Sequence, residues 1–307
     1  MRLLDGKVAI VTGAGRGIGR GESLLLAQHG AKVVVNDLGG EWDGSGADQR
    51  PAQLVVDEIT AAGGDAIANY DDVADFAGAD RLIRQAIDTW GKLDILVNNA
   101  GILRDRMIFN MSEADWDSVI RVHLKGHFAP TRHACAYWRE RSKETGEPAG
   151  GRIICTSSTS GLLGNAGQSN YGAAKAGIAA FAQIVSMEMG RYGVTSNAIA
   201  PAARTRLTEA TFGEIKSEGD FDSWAPENIA PIVAFLATDQ AADITGQVFY
   251  SGGGTLQLYD GWGPMQQIEK NDRWTVEELV ERVPGMFGDR PRVYAPPKSL
   301  LRTDVTG

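Results

Sequence analysis

Tyr171 and Lys175 stand four residues apart, and 12 residues separate Ser158 from Tyr171. On a helix, Tyr171 and Lys175 project from one face, one turn apart, so an ammonium lies beside a phenol. A free phenol titrates near pKa 10, too high to trade protons near neutral pH. A fixed cation nearby stabilises phenolate, and a shift of two units needs only about 3 kcal/mol. Ser158, arriving from a preceding strand, can donate to a carbonyl or alkoxide held by the same phenol. Together the three suit the transfer of a proton at a C–OH or C=O oxygen while hydride moves at the carbon. A Tyr-x-x-x-Lys pair also suits an ordinary amphipathic surface, so its weight comes from the other end of the chain.

Residues 7–12 (Lys-Val-Ala-Ile-Val-Thr) form a short β-branched run expected to be a buried parallel strand. The run enters Thr12-Gly13-Ala14-Gly15-Arg16-Gly17-Ile18-Gly19, and a helical pattern follows as far as Gly30. Glycines at a strand-to-helix turn let backbone N–H groups approach a pyrophosphate at the positive helix end. The next strand, 31–36, ends in Asp37, 24 residues past Gly13. A carboxylate there accepts from both adenosine ribose hydroxyls and repels a 2′-phosphate. Arg16 is the counter-signal, because its guanidinium could pair with that phosphate. Asp37 weighs more, so NAD is expected over NADP. A third strand (66–70) runs into Asp71-Asp72-Val73, where Asp72 could accept from the adenine amino group or serve only as a turn carboxylate. A fourth strand (93–97) precedes Asn98-Asn99-Ala100-Gly101, small residues that let a nucleotide lie close to backbone. Asn98 could instead tie strands together.

Five pieces stand in one order over about residues 5–254: Thr12-Gly13-x-x-x-Gly17-x-Gly19, Asn98-Asn99-Ala100-Gly101, Ser158, Tyr171-x-x-x-Lys175 and Asn197-x-Ile199-x-Pro201. Together they resemble the short-chain dehydrogenase/reductase family. The resemblance implies an α/β fold, a single doubly wound Rossmann-type domain with a mostly parallel seven-stranded sheet. It also implies that Tyr171 is the general acid/base, that Lys175 lowers its pKa and binds the nicotinamide ribose, and that Ser158 orients the substrate oxygen. Cofactor contacts would come from Gly13, Arg16, Gly17, Ile18, Gly19, Asp37, Asp72, Val73, Asn99, Ala100, Gly101, Tyr171, Lys175, Pro201 and, at the carboxamide, Thr205.

There are two departures. The family's usual helix asparagine is His123 here, within Val122-His123-Leu124-Lys125-Gly126. The family's residue works through its main-chain carbonyl, which holds a water on a relay to the lysine, and a histidine supplies the same carbonyl. Its imidazole could be a spectator, a packing group or a relay member. The usual Pro-Gly is Pro201-Ala202, which should stiffen the start of a lid.

The His123 segment narrows the resemblance. So do Asn36-Asp37-Leu38-Gly39-Gly40, Ala68-Asn69-Tyr70-Asp71, Gly101-Ile102-Leu103-Arg104-Asp105-Arg106 and the insertion 39–53. The chain is similar to the (3R)-hydroxyacyl-CoA dehydrogenase unit of peroxisomal multifunctional enzymes, a hydroxysteroid-dehydrogenase-like branch. That likeness implies oxidation of a 3-hydroxyacyl-CoA, with a bulky or steroid-bearing acyl group as one option. The other options are an NADPH-linked 3-oxoacyl-carrier-protein reductase, a hydroxysteroid dehydrogenase and a dinucleotide-binding protein without turnover.

At 307 residues the chain can bury about 75% of its unfolded surface. The strand-helix cadence runs unbroken to about residue 254, so one domain with a tail over 255–307 is expected, the tail docking on the body or on a neighbouring subunit. Net charge −9 speaks against nucleic acid and anionic membrane surfaces as partners. An anionic acyl-CoA would then need a local basic patch, for which Arg104, Arg106, Arg204 and Arg206 are candidates. Cys135 and Cys155, the two cysteines, form neither a disulfide framework nor a metal site. No metal is expected at the His123/His127 pair, which lacks an apparent third ligand. The opening residues run directly into a core strand and no apolar run reaches membrane-spanning length, so a cytoplasmic protein is the expectation. Residues 204–225 read as a lid. Family analogy suggests a homodimer or homotetramer on helices near 113–142 and 170–190.

Overall fold

A computed structural model describes residues 2–46, 48–206, 208–209 and 221–294. It divides into two compact units, 1–259 and 260–307.

In the first unit, short apolar strands alternate with amphipathic helices. The strands are β1 Val8–Thr12, β2 Lys32–Asn36, β3 Asp65–Asn69, β4 Ile95–Asn98, β5 Arg152–Thr156, β6 Thr195–Pro201, β7 Val248–Gly252 and β8 Thr255–Tyr259. They form one sheet in the order β3-β2-β1-β4-β5-β6-β7-β8. The pairing is parallel throughout β1–β7, and β8 alone runs antiparallel, Gly252 facing Thr255 across a tight turn. The expected seven strands are therefore eight. The added strand comes from residues assigned by sequence to the tail.

The interior strands β1, β4 and β5 are buried throughout, as a sheet covered on both faces requires. Their alternate side chains feed two cores. Val11, Val35 and Val97 face one side with Leu26 and Val233, and Ile10, Leu96 and Ile153 face the other with Leu82, Trp138 and Ile178. Helices α1 (Gly17–Gln28) and α2 (Arg50–Ala61) serve the first face, and α3 (Phe76–Trp90), α5 (Gly126–Thr145) and α7 (Ser169–Met189) the second. Their ends follow local chemistry. Asp75 caps α3 by accepting from the Gly78 N–H, and α3 stops at Gly91 with φ 79°. Helix α4 (Glu113–Ile120) opens with a Ser112/Asp115 capping box. Between α4 and α5, residues Arg121–Lys125 form a π-helical turn.

The second unit is small. A Thr275/Glu278 capping box starts the helix Val276–Arg282, and Lys270 pairs with Glu278 at 2.6 Å. Among the described residues no helix is long and apolar enough to cross a membrane.

One buried group opposes the fold. Glu22, on the inner face of α1, is fully buried, and its two carboxyl oxygens have no hydrogen-bond partner among the described residues. Burial pushes its carboxyl from 4.5 up to about 8. The native state thus holds a proton that the unfolded chain has already released, and stability is lost as pH rises from about 4.5 to about 8. Glu22→Gln keeps the shape of the protonated acid. It should change stability at pH 5 by less than about 1 kcal/mol and raise it at pH 8 by on the order of 3 kcal/mol. Urea unfolding midpoints at the two pH values check this, and an equal effect at both would contradict it.

Candidate active site

The sheet order reverses between β1 and β4, whose connections lead to opposite faces and leave a crevice beyond the strand ends. The glycine-rich turn lies at that point. A Cβ on Gly13 (φ 63°) would come within 2.8 Å of Ala100 Cα, and one on Gly19 within 2.4 Å of the Gly13 carbonyl oxygen. Only glycine allows the two strand ends to approach this closely. Asn99 and Thr12 join them: Asn99 Nδ2 donates to the carbonyls of Thr12 (3.0 Å) and Gly13 (3.1 Å), and the Thr12 hydroxyl accepts from the N–H groups of Asn99 and Ala100. Arg16 occupies the N-cap of α1 without a side-chain cap bond. Among the described residues the N-cap side chain gives the first N–H groups of α1 no acceptor, and the helix dipole favours an anion there.

Asp37 ends beside this turn. One carboxylate oxygen accepts from the Gly15 N–H at 2.8 Å and the other from the Gly39 N–H at 2.6 Å. Each oxygen keeps a further lone pair for a ribose hydroxyl. Arg206 lies in the electrostatic field of Arg16, Glu41 and Asp37 and pairs with Glu41 at 3.2 Å. Asp72 accepts from the Ala74 N–H at 2.8 Å and forms an ion pair with Arg121. Val73 is buried against the position where Gly126 lacks a side chain. Thr205 is brought to the glycine turn, its Cγ2 being 3.6 Å from where a Gly17 Cβ would stand. Pro201 closes β6 at the same end of the sheet. These residues fit a dinucleotide: a close-packed backbone turn, a helix start without a side-chain cap and a carboxylate fixed beside both.

The second cluster sits where β5 meets α7. Ser158 follows β5 and caps the short helix α6 (Thr159–Leu163), accepting from the Ser160 N–H at 3.1 Å. Gly161 permits α6 to lie on α7, because a Cβ there would meet Lys175 and Ala176 backbone within 2.6 Å. Tyr171 lies in the first turn of α7 and Lys175 one turn on. The Lys175 ammonium is 5.5 Å from the Tyr171 ring centroid and donates to the Thr156 carbonyl at 2.5 Å. Ser158, Tyr171 and Lys175 are therefore assembled as the spacing requires.

Their electrostatics differ from the sequence expectation. Burial pushes the Tyr171 phenol up to about 12, against a lowering hydrogen bond from Ser158, with the Asp105 carboxylate raising it further. Burial likewise pulls Lys175 down to about 7. The amine thus releases its proton well before the phenol does. Desolvation is the largest cause of both shifts, and the Ser158 hydrogen bond acts against it on the phenol.

His123 and His127 are both buried on the π-turn and the start of α5. His123 stands edge-on to Tyr171. Asn98 acts structurally, donating to Thr131 at 2.9 Å and contacting Cys155 sulfur at 3.9 Å. Three residues that sequence reasoning passed over secure the backbone and neighbours of Tyr171 and Lys175. Fully buried Asn170 donates to the carbonyls of Arg104 and Asp115, and its side-chain oxygen accepts from the Tyr171 N–H at 2.7 Å. Gln168 donates to Asp105 at 2.7 Å, and the Ser157 hydroxyl donates to the Lys175 carbonyl at 2.7 Å. Their signal was adjacency: polar residues next to Tyr171 and Ser158 in an otherwise small, apolar run. Of the four candidate phosphate-binding arginines, Arg104, Arg204 and Arg206 each face a carboxylate (Asp115, Asp222 and Glu41), and Arg106 donates to the Asp105 carbonyl. Residues 207 and 210–220 of the expected lid lie outside the described residues. The described ends of this segment are joined by the Arg204–Asp222 pair and the Arg204 N–H to Trp224 carbonyl bond (2.7 Å).

Comparison with known proteins fits this arrangement. The family model of short chain dehydrogenases matches residues 7–214. A hydroxyacyl-CoA dehydrogenase of Mycobacterium tuberculosis, ChsB1, is 48% identical over 98% of this chain and 94% of its own. The peroxisomal multifunctional enzyme type 2 of Drosophila melanogaster is 46% identical over 90% of this chain, which spans only 44% of that protein. The crystal structure of a short chain dehydrogenase from Mycobacterium avium superposes with a TM-score of 0.85 at 52% identity, covering 96% of this chain and 98% of that one. With its glycine turn at the β1/β4 crevice and its Ser158–Tyr171–Lys175 cluster at the β5/α7 junction, the chain belongs to the short-chain dehydrogenase family.

Proposed function

We propose that this protein is an NAD-dependent oxidoreductase that interconverts a (3R)-hydroxyacyl-CoA and its 3-oxoacyl-CoA, a bulky or steroid-bearing acyl group among the candidates. The observation that carries the reading is the Ser158–Tyr171–Lys175 cluster in a chain similar, along nearly its whole length, to a hydroxyacyl-CoA dehydrogenase. The preference for NAD rests on Asp37, whose carboxylate is held beside the glycine turn by two backbone N–H groups and would repel a 2′-phosphate.

The bound nicotinamide supplies the hydride acceptor or donor. Tyr171 exchanges the proton at the substrate oxygen, and Ser158 donates a hydrogen bond that stabilises negative charge on that oxygen. Lys175, held by the Thr156 carbonyl, points its ammonium at the face of Tyr171. Ribose hydroxyls beside Lys175 would give the ammonium acceptors and keep it charged, which restores the assistance to the phenol that burial alone removes. Oxidation releases a proton, so it is favoured as pH rises. The CoA phosphates would have to compete with Asp115, Asp222 and Glu41 for their arginines. Exposed Trp116, Phe128, Ile184 and Met187 on α4, α5 and α7 support a homodimer or homotetramer. Two free thiols, one of them fully buried, fit a cytoplasmic setting.

A panel of 3-hydroxyacyl-CoA esters with NAD, followed by absorbance of the reduced cofactor, tests the assignment. Turnover with simple alcohols or free steroids but no thioester would contradict it, and turnover only with NADPH would favour a 3-oxoacyl-carrier-protein reductase. Tyr171→Phe should cut kcat by about 10²- to 10⁴-fold with little change in cofactor affinity. Asp37→Ala should raise the kcat/KM for NADP relative to NAD by about tenfold or more, whereas an unchanged ratio would remove Asp37 from the cofactor site.

A further inference from the structure

Two buried imidazoles lie behind Tyr171, and each is only 1% exposed. The His123 ring meets the Tyr171 ring edge-on, with centroids 5.1 Å apart and planes at 87°. That is a favoured arrangement for aromatic rings. The His123 ring also packs on Gly101, where an added Cβ would come within 2.4 Å of its Cε1. His123 Nε2 lies 2.7 Å from the Ile102 carbonyl oxygen. The Ile102 N–H is directed at the same Nε2 at 3.1 Å, so in either tautomer this nitrogen is tied to the Ile102 main chain.

His127 secures the turn that carries this ring. Its Nδ1 lies 2.7 Å from the His123 carbonyl and donates to it, and the Gly126 N–H is directed at the same carbonyl. This is the carbonyl that family resemblance gave the task of holding a relay water. Here both of its lone pairs have donors within the chain. Both rings are neutral. Burial, with the Lys175 charge second, holds His123 well below its ordinary value and His127 at about 3.

We propose that the His123 imidazole is a positioning residue for the acid/base phenol: pinned to the Ile102 main chain and carried on a turn held by His127, it fixes the Tyr171 ring by edge-to-face contact. The inference rests on the reading of Tyr171 as the acid/base. It gives the imidazole a part that the family's asparagine, a small side chain without a ring, does not play. The groups facing the phenol are Ser158 after β5, Asp105 from the loop after β4, Lys175 on α7 and His123 itself. The groups acting on His123 are Lys175 and His127.

The test follows the Tyr171 ring carbon by NMR titration of tyrosine-labelled protein without cofactor, assigned with Tyr171→Phe, alongside steady-state kinetics. His123→Ala opens space beside the phenol and lets water reach it, so its pKa should fall from about 12 toward the ordinary value of 10. The kcat should fall about 10- to 100-fold, with the dissociation constant for NADH within about twofold of wild type. His123→Phe restores a ring edge and should recover most of both properties. His127→Ala should lie between wild type and His123→Ala. If His123→Ala does not fold, His123→Asn serves, with a shift in the same direction. Wild-type titration and kcat in a folded His123→Ala would overturn the proposal, as would His123→Phe impaired as severely as His123→Ala. A titration shift in a protein that turns over no hydroxyacyl-CoA would leave the positioning role standing and sink only the substrate assignment.

Discussion

Two ionisable side chains stand one helical turn apart, Lys175 fully buried and Tyr171 partly buried, and their desolvation governs the rest of the site. Each is pushed toward its neutral form, the phenol up to about 12 and the amine down to about 7. Against this the chain sets a small number of fixed dipoles: the Thr156 carbonyl on the ammonium and the Ser158 hydroxyl on the phenol. A site poised in this way takes its protonation state from whatever fills the cleft. Groups that offer acceptors to Lys175 keep it charged and draw the phenol down, and removing them lets burial dominate again. Desolvation of the proposed acid/base pair would therefore make proton transfer responsive to binding.

The fold delivers these groups by bringing strand ends together. β1, β4, β5 and β6 are adjacent and parallel, so Gly13, Asn99, Ser158 and Pro201 emerge along one edge although nearly 190 residues separate the first from the last. The approach of the Gly13 backbone to Ala100, sealed by Thr12 and Asn99, forms the floor of the crevice. Tyr171 is held more firmly than its helix position requires. Asn170 fixes its backbone to the loop after β4, Gln168 holds Asp105, and His123 stands against its ring. The many hydrogen bonds between this loop and the start of α7 make the phenol's placement a property of two distant chain segments.

Much of this was legible in the residues. The β-branched runs located the first strands to within about two residues, and the glycine turn, Asp37 and the Ser-Tyr-Lys spacing were each found where the structure brings them together. The parts that escaped have physical reasons. Strand β8 carries the alternation Thr-Leu-Gln-Leu-Tyr after a glycine-rich turn, a hairpin pattern, but its exposed Leu256 and Leu258 and its place beyond the family motifs made it read as tail. The sign of the Tyr171 shift escaped because spacing shows that two groups are neighbours and not how much water they lose. The π-turn and the His127 bond to the His123 carbonyl depend on a local break in helical register that no residue pattern announces. Asn170 and Gln168 looked like helix-start residues, and only the packing of the loop after β4 gives them partners.

Occupancy of the crevice should change the acidity of one partly buried phenol. Titration of Tyr171 by phenolate absorbance, as the difference between the protein and Tyr171→Phe, measures this directly without NAD and at saturating NAD. The account predicts an ionisation near the alkaline limit of about 12 in the free protein and a fall of at least about two units when the dinucleotide is bound. The same titration curve in both states, or a free phenol already ionising at the value of ordinary tyrosine, would contradict it.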